Sequence, residues 1–316
     1  MRRILVAAMA VMTLVAAVAC SPDETKGEGT ATKVSVGVIP IIDVAPIYLG
    51  KQKGFFARRG IDLVLSAEQG GAPIVEGVVG GKYQFGFSNV TSLMAAQTGG
   101  APLKAVASGV ASNGRAGRDF SAIVVSGASK IRSARELTGK RIAVNTLKNL
   151  GDTTVRQSVR RAGGKAEDLR FQAMPFPDMP GALQAGKVDA AWVVEPALSA
   201  VLTQGGQILA SNFVDTAPDL TVALYFTSQG TLTAKPKLAA DFTAAIKESM
   251  RYAAEHPDEV RDVVGTYTQI NDTVRIAMIL PSWPEDINRQ SLERVAQLGQ
   301  RDGIFAKAPT LDQLLP

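Results

Sequence analysis

Eight side chains in four short stretches carry the chemistry that would hold a small solute: Asp43 in IIDVAP, Ser88 and Asn89 in FSNVTS, Thr146, Lys148 and Asn149 in NTLKNLGDT, and Trp192 and Glu195 in AWVVEP. Asp43 and Glu195 accept from N–H groups or pair with a cation, while Ser88 and Asn89 supply a hydroxyl and an amide. NTLKNLGDT joins a strand to a helix start, where free backbone N–H groups beside Thr146, Lys148 and Asn149 suit a sulfonate, nitrate or carboxylate. The set prefers a zwitterion or an amino-bearing heterocycle to a bare inorganic anion, which two carboxylates would oppose.

Each of these residues has a plainer reading. Asp43 and Asn89 are good helix N-caps, and Lys148 suits a solvated loop. Trp192 alternates with its neighbours on an apolar strand, which fits either the core or a wall of the binding cleft. Glu195, beside Pro196, sits where a first helical turn favours negative charge; alternatively it accepts from a ligand or from a closing lobe.

The composition offers little for catalysis or metal binding. His256 is the one histidine and Cys20 the one cysteine. A Ser-His-Asp set would need that single histidine at the end of a C-terminal helix, and no Cys/His spacing suits a metal. GVVGGKY (77–83) is one residue short of a phosphate loop and has Tyr83 where Ser or Thr is required. We therefore expect no catalytic residue, no metal, no cofactor and no enzyme activity.

These residues need elements to position them. From Lys33 the chain alternates short apolar strands with amphipathic helices, which predicts mostly parallel sheets with helices on their faces. GKYQFGFSNVTSLMAAQTGG (81–100) and GKVDAAWVVEPALSAVLTQGG (186–206) run alike, placing Asn89 and Glu195 at equivalent points. The echo predicts two α/β lobes of one architecture, joined by a hinge of two crossover strands, with lobe one at 33–124 plus 223–316 and lobe two at 125–222. Residues 235–303 read as helices that return to the first lobe. In open α/β sheets, ligands bind at the carboxyl ends of strands, so Asn89 and Glu195 would face each other across a cleft.

The first nineteen residues read as an export signal: Arg2 and Arg3, then an apolar run from Ile4 to Ala19 broken only by Thr13. Ala17-Val18-Ala19-Cys20 is similar to a bacterial lipobox, which implies a diacylglycerol on Cys20 and anchoring to the outer face of the cell membrane. Residues 20–32 follow as a flexible tether with no aliphatic side chain larger than alanine. Cleavage removes two arginines and no acid, lowering the formal charge of +5 by two. No Lys/Arg run with interleaved aromatics points to nucleic acid.

The ordered segments GVIPIIDVAPIYLGKQKGFFARRGIDLVL (37–65), YQFGFSN (83–89), GAPLKAVAS (100–108), ELTGKRIAV (136–144), DMPGALQAGKVDAAWVVEP (178–196) and DGIFAK (302–307) carry a resemblance. In that order they resemble the nitrate/sulfonate/taurine and thiamine-precursor group of ABC-transporter solute-binding proteins. The resemblance implies the bilobal type II periplasmic-binding fold, capture of a small solute by a monomer, and delivery to a membrane permease with its cytoplasmic ATPase. Sulfonate or taurine-like solutes fit the polar set best. The Asn-x-x-His-x-Gly run that relatives binding thiamine's pyrimidine precursor often show is replaced here by APIYLG (45–50), which lowers that alternative. A solute sensor that does not transport is the other one.

Overall fold

The computed structural model describes residues 31–316. The expected export signal, the lipidation expected at Cys20 and nearly all of the expected tether fall outside the described residues.

Two five-stranded sheets organise the chain. The first contains β1 (Thr32–Val38), β2 (Ile61–Ala67), β3 (Phe85–Asn89), β4 (Leu103–Ala111) and β10 (Thr221–Ser228), in the order β2-β1-β3-β10-β4. The second contains β5 (Ser121–Val125), β6 (Arg141–Val144), β7 (Arg170–Ala173), β8 (Ala190–Val194) and β9 (Gln207–Ala210), in the order β7-β6-β8-β5-β9. In each sheet the fourth strand runs antiparallel to both neighbours: β10 between β3 and β4, and β5 between β8 and β9. The echo between the two halves of the sequence is therefore an echo of topology.

Each antiparallel strand is the first one the chain makes after crossing over. The chain leaves the first sheet through 112–120 to enter β5 and returns through 211–220 to enter β10. The boundaries expected at 124/125 and 222/223 thus fall inside strands, and β5 belongs wholly to the second sheet. Every residue of β5 is buried, and a continuous apolar run shows no periodicity that would assign it to a sheet.

Helices cover the faces. In the first lobe these are α1 (Ala45–Gln52), α2 (Gly71–Val79), α3 (Val90–Thr98) and the long α9 (Pro236–Glu255). Phe242 of α9 stacks on Phe85 with ring centroids 3.9 Å apart and packs against Phe56 and Tyr225. The second lobe has α4 (Leu150–Arg161), α5 (Met179–Gln184), α6 (Ala197–Thr203) and α7 (Asn212–Thr216) around Trp192, Phe213 and Phe120. α8 (Gln229–Ala234) leads from β10 into α9.

The C-terminal helices only partly return to the first lobe. α10 (Pro257–Tyr267) packs on α1, but α11 (Asp272–Ala277) packs on α6 of the second lobe. α12 (Arg289–Arg301) touches α3 on one side and α4 and α7 on the other, and the Arg160–Asp302 ion pair fixes its end to α4. The short α13 (Leu311–Leu314) closes the chain against β4 and α3. Among the described residues no helix is long and apolar enough to cross a membrane.

Candidate functional site at the strand tips

The strand-end residues meet in two patches. The first joins the N-termini of α2, α3 and α4. Asn89 ends β3 and caps α3, its Oδ1 accepting from Ser92 N–H at 3.0 Å. Asn149 caps α4, accepting from Leu150 N–H at 2.7 Å, while its Nδ2 donates across the lobes to Ser92 Oγ at 2.8 Å. Ser88 is fully buried, and a Cβ on Gly71 would overlap its hydroxyl, so the start of α2 approaches β3 only because residue 71 is glycine. Beside it, a Cβ on Gly70 would come within 2.6 Å of Thr146 Oγ1.

Ser88, Asn89, Thr146 and Asn149 are therefore brought together from both lobes. Ser92 belongs with them and was not anticipated. It lies three residues after Asn89, on the same side of the first helical turn, and that spacing is the signal that could have found it. Lys148 is exposed, with φ of 51°. Its backbone N–H donates to the buried Asp152 Oδ2 at 2.9 Å, and burial raises the Asp152 carboxyl to about 6.

The second patch contains Asp43 and Glu195. Glu195 is fully buried, and its carboxylate accepts from Ser199 N–H at 2.9 Å, Ser199 Oγ–H at 2.8 Å and Ile279 N–H at 3.0 Å. Its main-chain carbonyl accepts from Ile42 N–H at 3.1 Å. Ile279 follows α11 in a segment attached to the first lobe: Ser282 bridges Ala111 of β4, and Trp283 Nε1 donates to the Asp43 carbonyl at 3.0 Å. Of the readings open for Glu195, the geometry shows a helix-start contact and an interlobe contact together. Burial raises its carboxyl to about 7, against the hydrogen bonds from Ile279 and Ser199 that lower it.

Asp43 does not cap α1 with its side chain. It is 3% exposed, its Oδ1 has no hydrogen-bond partner, and burial raises it to about 7, with the like charge of Asp119 adding to the rise. Trp192 lies in the core of the second lobe rather than on a cleft wall. Its Nε1 donates to Ser121 Oγ at 2.8 Å, its ring packs edge-on against Phe176 and Phe213, and Gly151 of α4 lies flat against it.

Beside the second patch, at the C-terminal end of α10, lies a cavity of about 300 Å³, lined among others by Pro40, Ile41, Phe176, Pro196, Tyr267 and Ile270. It opens where loops of both lobes meet, and its size is at the low end for a small-molecule site. The lining is mostly apolar, with polar atoms supplied by residues such as Thr268 and Gln269.

Solved structures share this architecture. The alkanesulfonate-binding protein SsuA from Xanthomonas axonopodis pv. citri, bound to MOPS, superposes with a TM-score of 0.74 at 18% identity, covering 90% of this chain and 98% of that one. The periplasmic aliphatic sulphonate binding protein SsuA from Escherichia coli gives 0.72 at 18% identity over 89% of this chain and 91% of that one. The periplasmic nitrate-binding protein NrtA from Synechocystis PCC 6803 gives 0.70 at 15% identity, over 90% and 84%. At such identities the likeness shows the fold: two α/β lobes of the periplasmic-binding type. No curated protein matches the sequence. The NMT1/THI5-like family model matches residues 41–260, most of the chain, and the protein belongs to that family.

Proposed function

We propose that the protein is the exported solute-binding component of an ABC-type importer, tethered to the outer face of the membrane through a lipid on Cys20. It captures a small organic solute, sulfonate-like or taurine-like first, between lobes that close on it, and hands it to a permease driven by a cytoplasmic ATPase. One observation carries this reading: in two topologically equivalent sheets, the helix start after β3 of the first and the helix start after β6 of the second meet through Ser92 and Asn149. Lobes joined in this way can rotate as rigid bodies and exclude water from a bound solute. The sulfonate- and nitrate-binding proteins of the same fold support the class of solute.

Nothing in the arrangement requires turnover. Asp43 and Glu195 are buried, and Glu195 is occupied by main-chain donors.

The test is small-angle scattering on the purified protein, with and without each member of a panel of alkanesulfonates, taurine, nitrate and aromatic carboxylates, beside thermal unfolding. A true solute at 100 times its dissociation constant stabilises the fold by about 2.7 kcal/mol and compacts the particle. A tight ligand that leaves the lobe orientation unchanged would overturn the capture mechanism.

A further inference from the structure

We propose that residues 268–281 form a strap, carried by the first lobe, that closes the cavity between the lobes and opens without the lobes parting. The inference goes beyond the solute-binding reading above and needs no particular solute.

The strap begins and ends on the first lobe. At its start, Tyr267 OH donates to the Ile41 carbonyl at 2.9 Å, and the Tyr267 ring stacks on Tyr48 of α1 with centroids 3.9 Å apart. At its end, Asn113 of the first crossover holds the Leu280 carbonyl at 3.3 Å, and Ser282 exchanges main-chain hydrogen bonds of 2.9 and 3.0 Å with Ala111 of β4. Trp283 Nε1, bonded to the Asp43 carbonyl, completes the anchor. Between these points the chain crosses to the second lobe. Thr268, Gln269 and Ile270 line the cavity of about 300 Å³ together with Phe176, Pro196 and Ala200 of that lobe, and α11 then packs on α6.

Little holds the strap there. Val274 is the one buried residue of α11, and Arg275 turns back to pair with Asp262 of α10. A short helix with a single buried side chain has little apolar surface to expose, so it can open locally at far less cost than the fold as a whole. The lobes themselves are tied at more points. Asn149 bonds to Ser92 across them at 2.8 Å, Ile42 N–H donates to the Glu195 carbonyl at 3.1 Å, and Arg160 of α4 pairs with Asp302, whose side chain is wholly buried.

The bolt of the strap is a single peptide group. The Met278 carbonyl accepts from Arg261 Nη2 of α10 at 3.4 Å, and the Ile279 N–H of the same peptide donates to Glu195 Oε1 at 3.0 Å. A trans peptide points these two groups in opposite directions, so this one sits between a cation of the first lobe and an acid of the second. Its dipole is aligned with both charges, which strengthens each hydrogen bond. Among the described residues, the bond from Ile279 to Glu195 is the strap's one hydrogen bond to the second lobe.

The test is amide hydrogen exchange, read residue by residue by NMR on the whole protein without a solute. Ile279 N–H reports the strap, Ser282 N–H its anchor, and Ile42 N–H the separation of the lobes. After correction for local sequence, Ile279 should exchange at least about tenfold faster than either Ile42 or Ser282. Glu195→Gln and Arg261→Met, which weaken the bolt from opposite sides, should each quicken Ile279 further and leave Ile42 unchanged. Covering of the cavity is read from an Ala200→Cys thiol on its wall, reacted with a small disulfide reagent and corrected for the wild-type protein. That reaction should quicken in the Arg261→Met background in step with Ile279 exchange.

Equal exchange at Ile279 and Ile42 would overturn the strap, since the segment would then move only with the lobes. Equal exchange at Ile279 and Ser282 would do the same, because the anchors would be opening with it. A thiol that reacts at one rate in both backgrounds would show that the segment does not cover the cavity. The importer reading stands apart from all three outcomes, since it rests on closure of the lobes around a solute.

Discussion

Glu195 Oε1 accepts the main-chain N–H of Ile279 at 3.0 Å, tying the tip of β8 in the second lobe to a segment anchored on the first. The same glutamate holds Ile42 N–H through its carbonyl, and Ile42 adjoins Asp43, whose own carbonyl is held by Trp283, four residues beyond Ile279. The contacts form a ring from Glu195 through Asp43 and Trp283 back to Glu195. A carboxylate at the end of a buried strand is thus a latch between lobes.

Removing that latch leaves main-chain donors buried. Glu195→Ala strips acceptors from Ser199 N–H and Ile279 N–H, and should cost about 3 kcal/mol in equilibrium urea unfolding. Glu195→Gln keeps one acceptor oxygen and should cost about 1 kcal/mol. Wild-type stability in the alanine variant would show that the contacts do not hold the lobes.

The buried acids set a pH dependence. Burial raises Asp43 and Glu195 to about 7 in the folded protein, above the ordinary carboxylate values of about 4 that the unfolded chain shows. Between those values the folded state retains protons that the unfolded state has released. Stability therefore falls as pH rises from about 4 to about 7, at up to about 1.4 kcal/mol per pH unit for each retained proton. Thermal unfolding across that window should show the slope in wild type, and the Asp43→Asn/Glu195→Gln double variant should reduce it, leaving the part that the buried Asp152 contributes below about pH 6.

The interlobe hydrogen bond between Asn149 Nδ2 and Ser92 Oγ should be measurable by itself. A double-mutant cycle with Ser92→Ala and Asn149→Ala should return a coupling of about 1 kcal/mol. Scattering should find the Ser92→Ala protein, which keeps the α4 cap, more expanded without ligand than wild type. An unchanged radius of gyration would mean that this bond does not bias closure.

Gly151 tests the packing of the second lobe. A Cβ there would overlap the Trp192 ring with no room to shift, since that indole is already bonded to Ser121. Gly151→Ala should destabilise by about 1–3 kcal/mol, read from the urea midpoint, because overpacking forces side chains or backbone from their minima. The usual gain from replacing a helical glycine would appear instead if the ring could yield.

The layout of strands and helices was legible in the sequence, since apolar alternation in TKVSVGV and the glycine-bounded helices are local signals. So was the doubling of the architecture, because Asn89 and Glu195 end equivalent strands. Backbone caps such as Asn89 and Asn149 were also within reach, as a cap depends on residues one to three positions away.

Tertiary structure alone decided what those residues face. Whether β5 or β10 joins one sheet or the other depends on pairings more than sixty residues distant, and both read locally as apolar strands. Trp192 became core because Gly151 and Ser121 come to it from other elements, and Lys148 stayed outside although its neighbour Asn149 crosses the lobes. Asp43 and Glu195 are both acids in segments that follow buried strands, Asp43 in the 3-10 turn five residues after β1 and Glu195 directly after β8. Glu195 meets Ile279 and is satisfied, while Asp43 is buried and keeps an unpartnered oxygen. Local propensity follows from the covalent chain, but burial and hydrogen-bond partnership are properties of the packed whole.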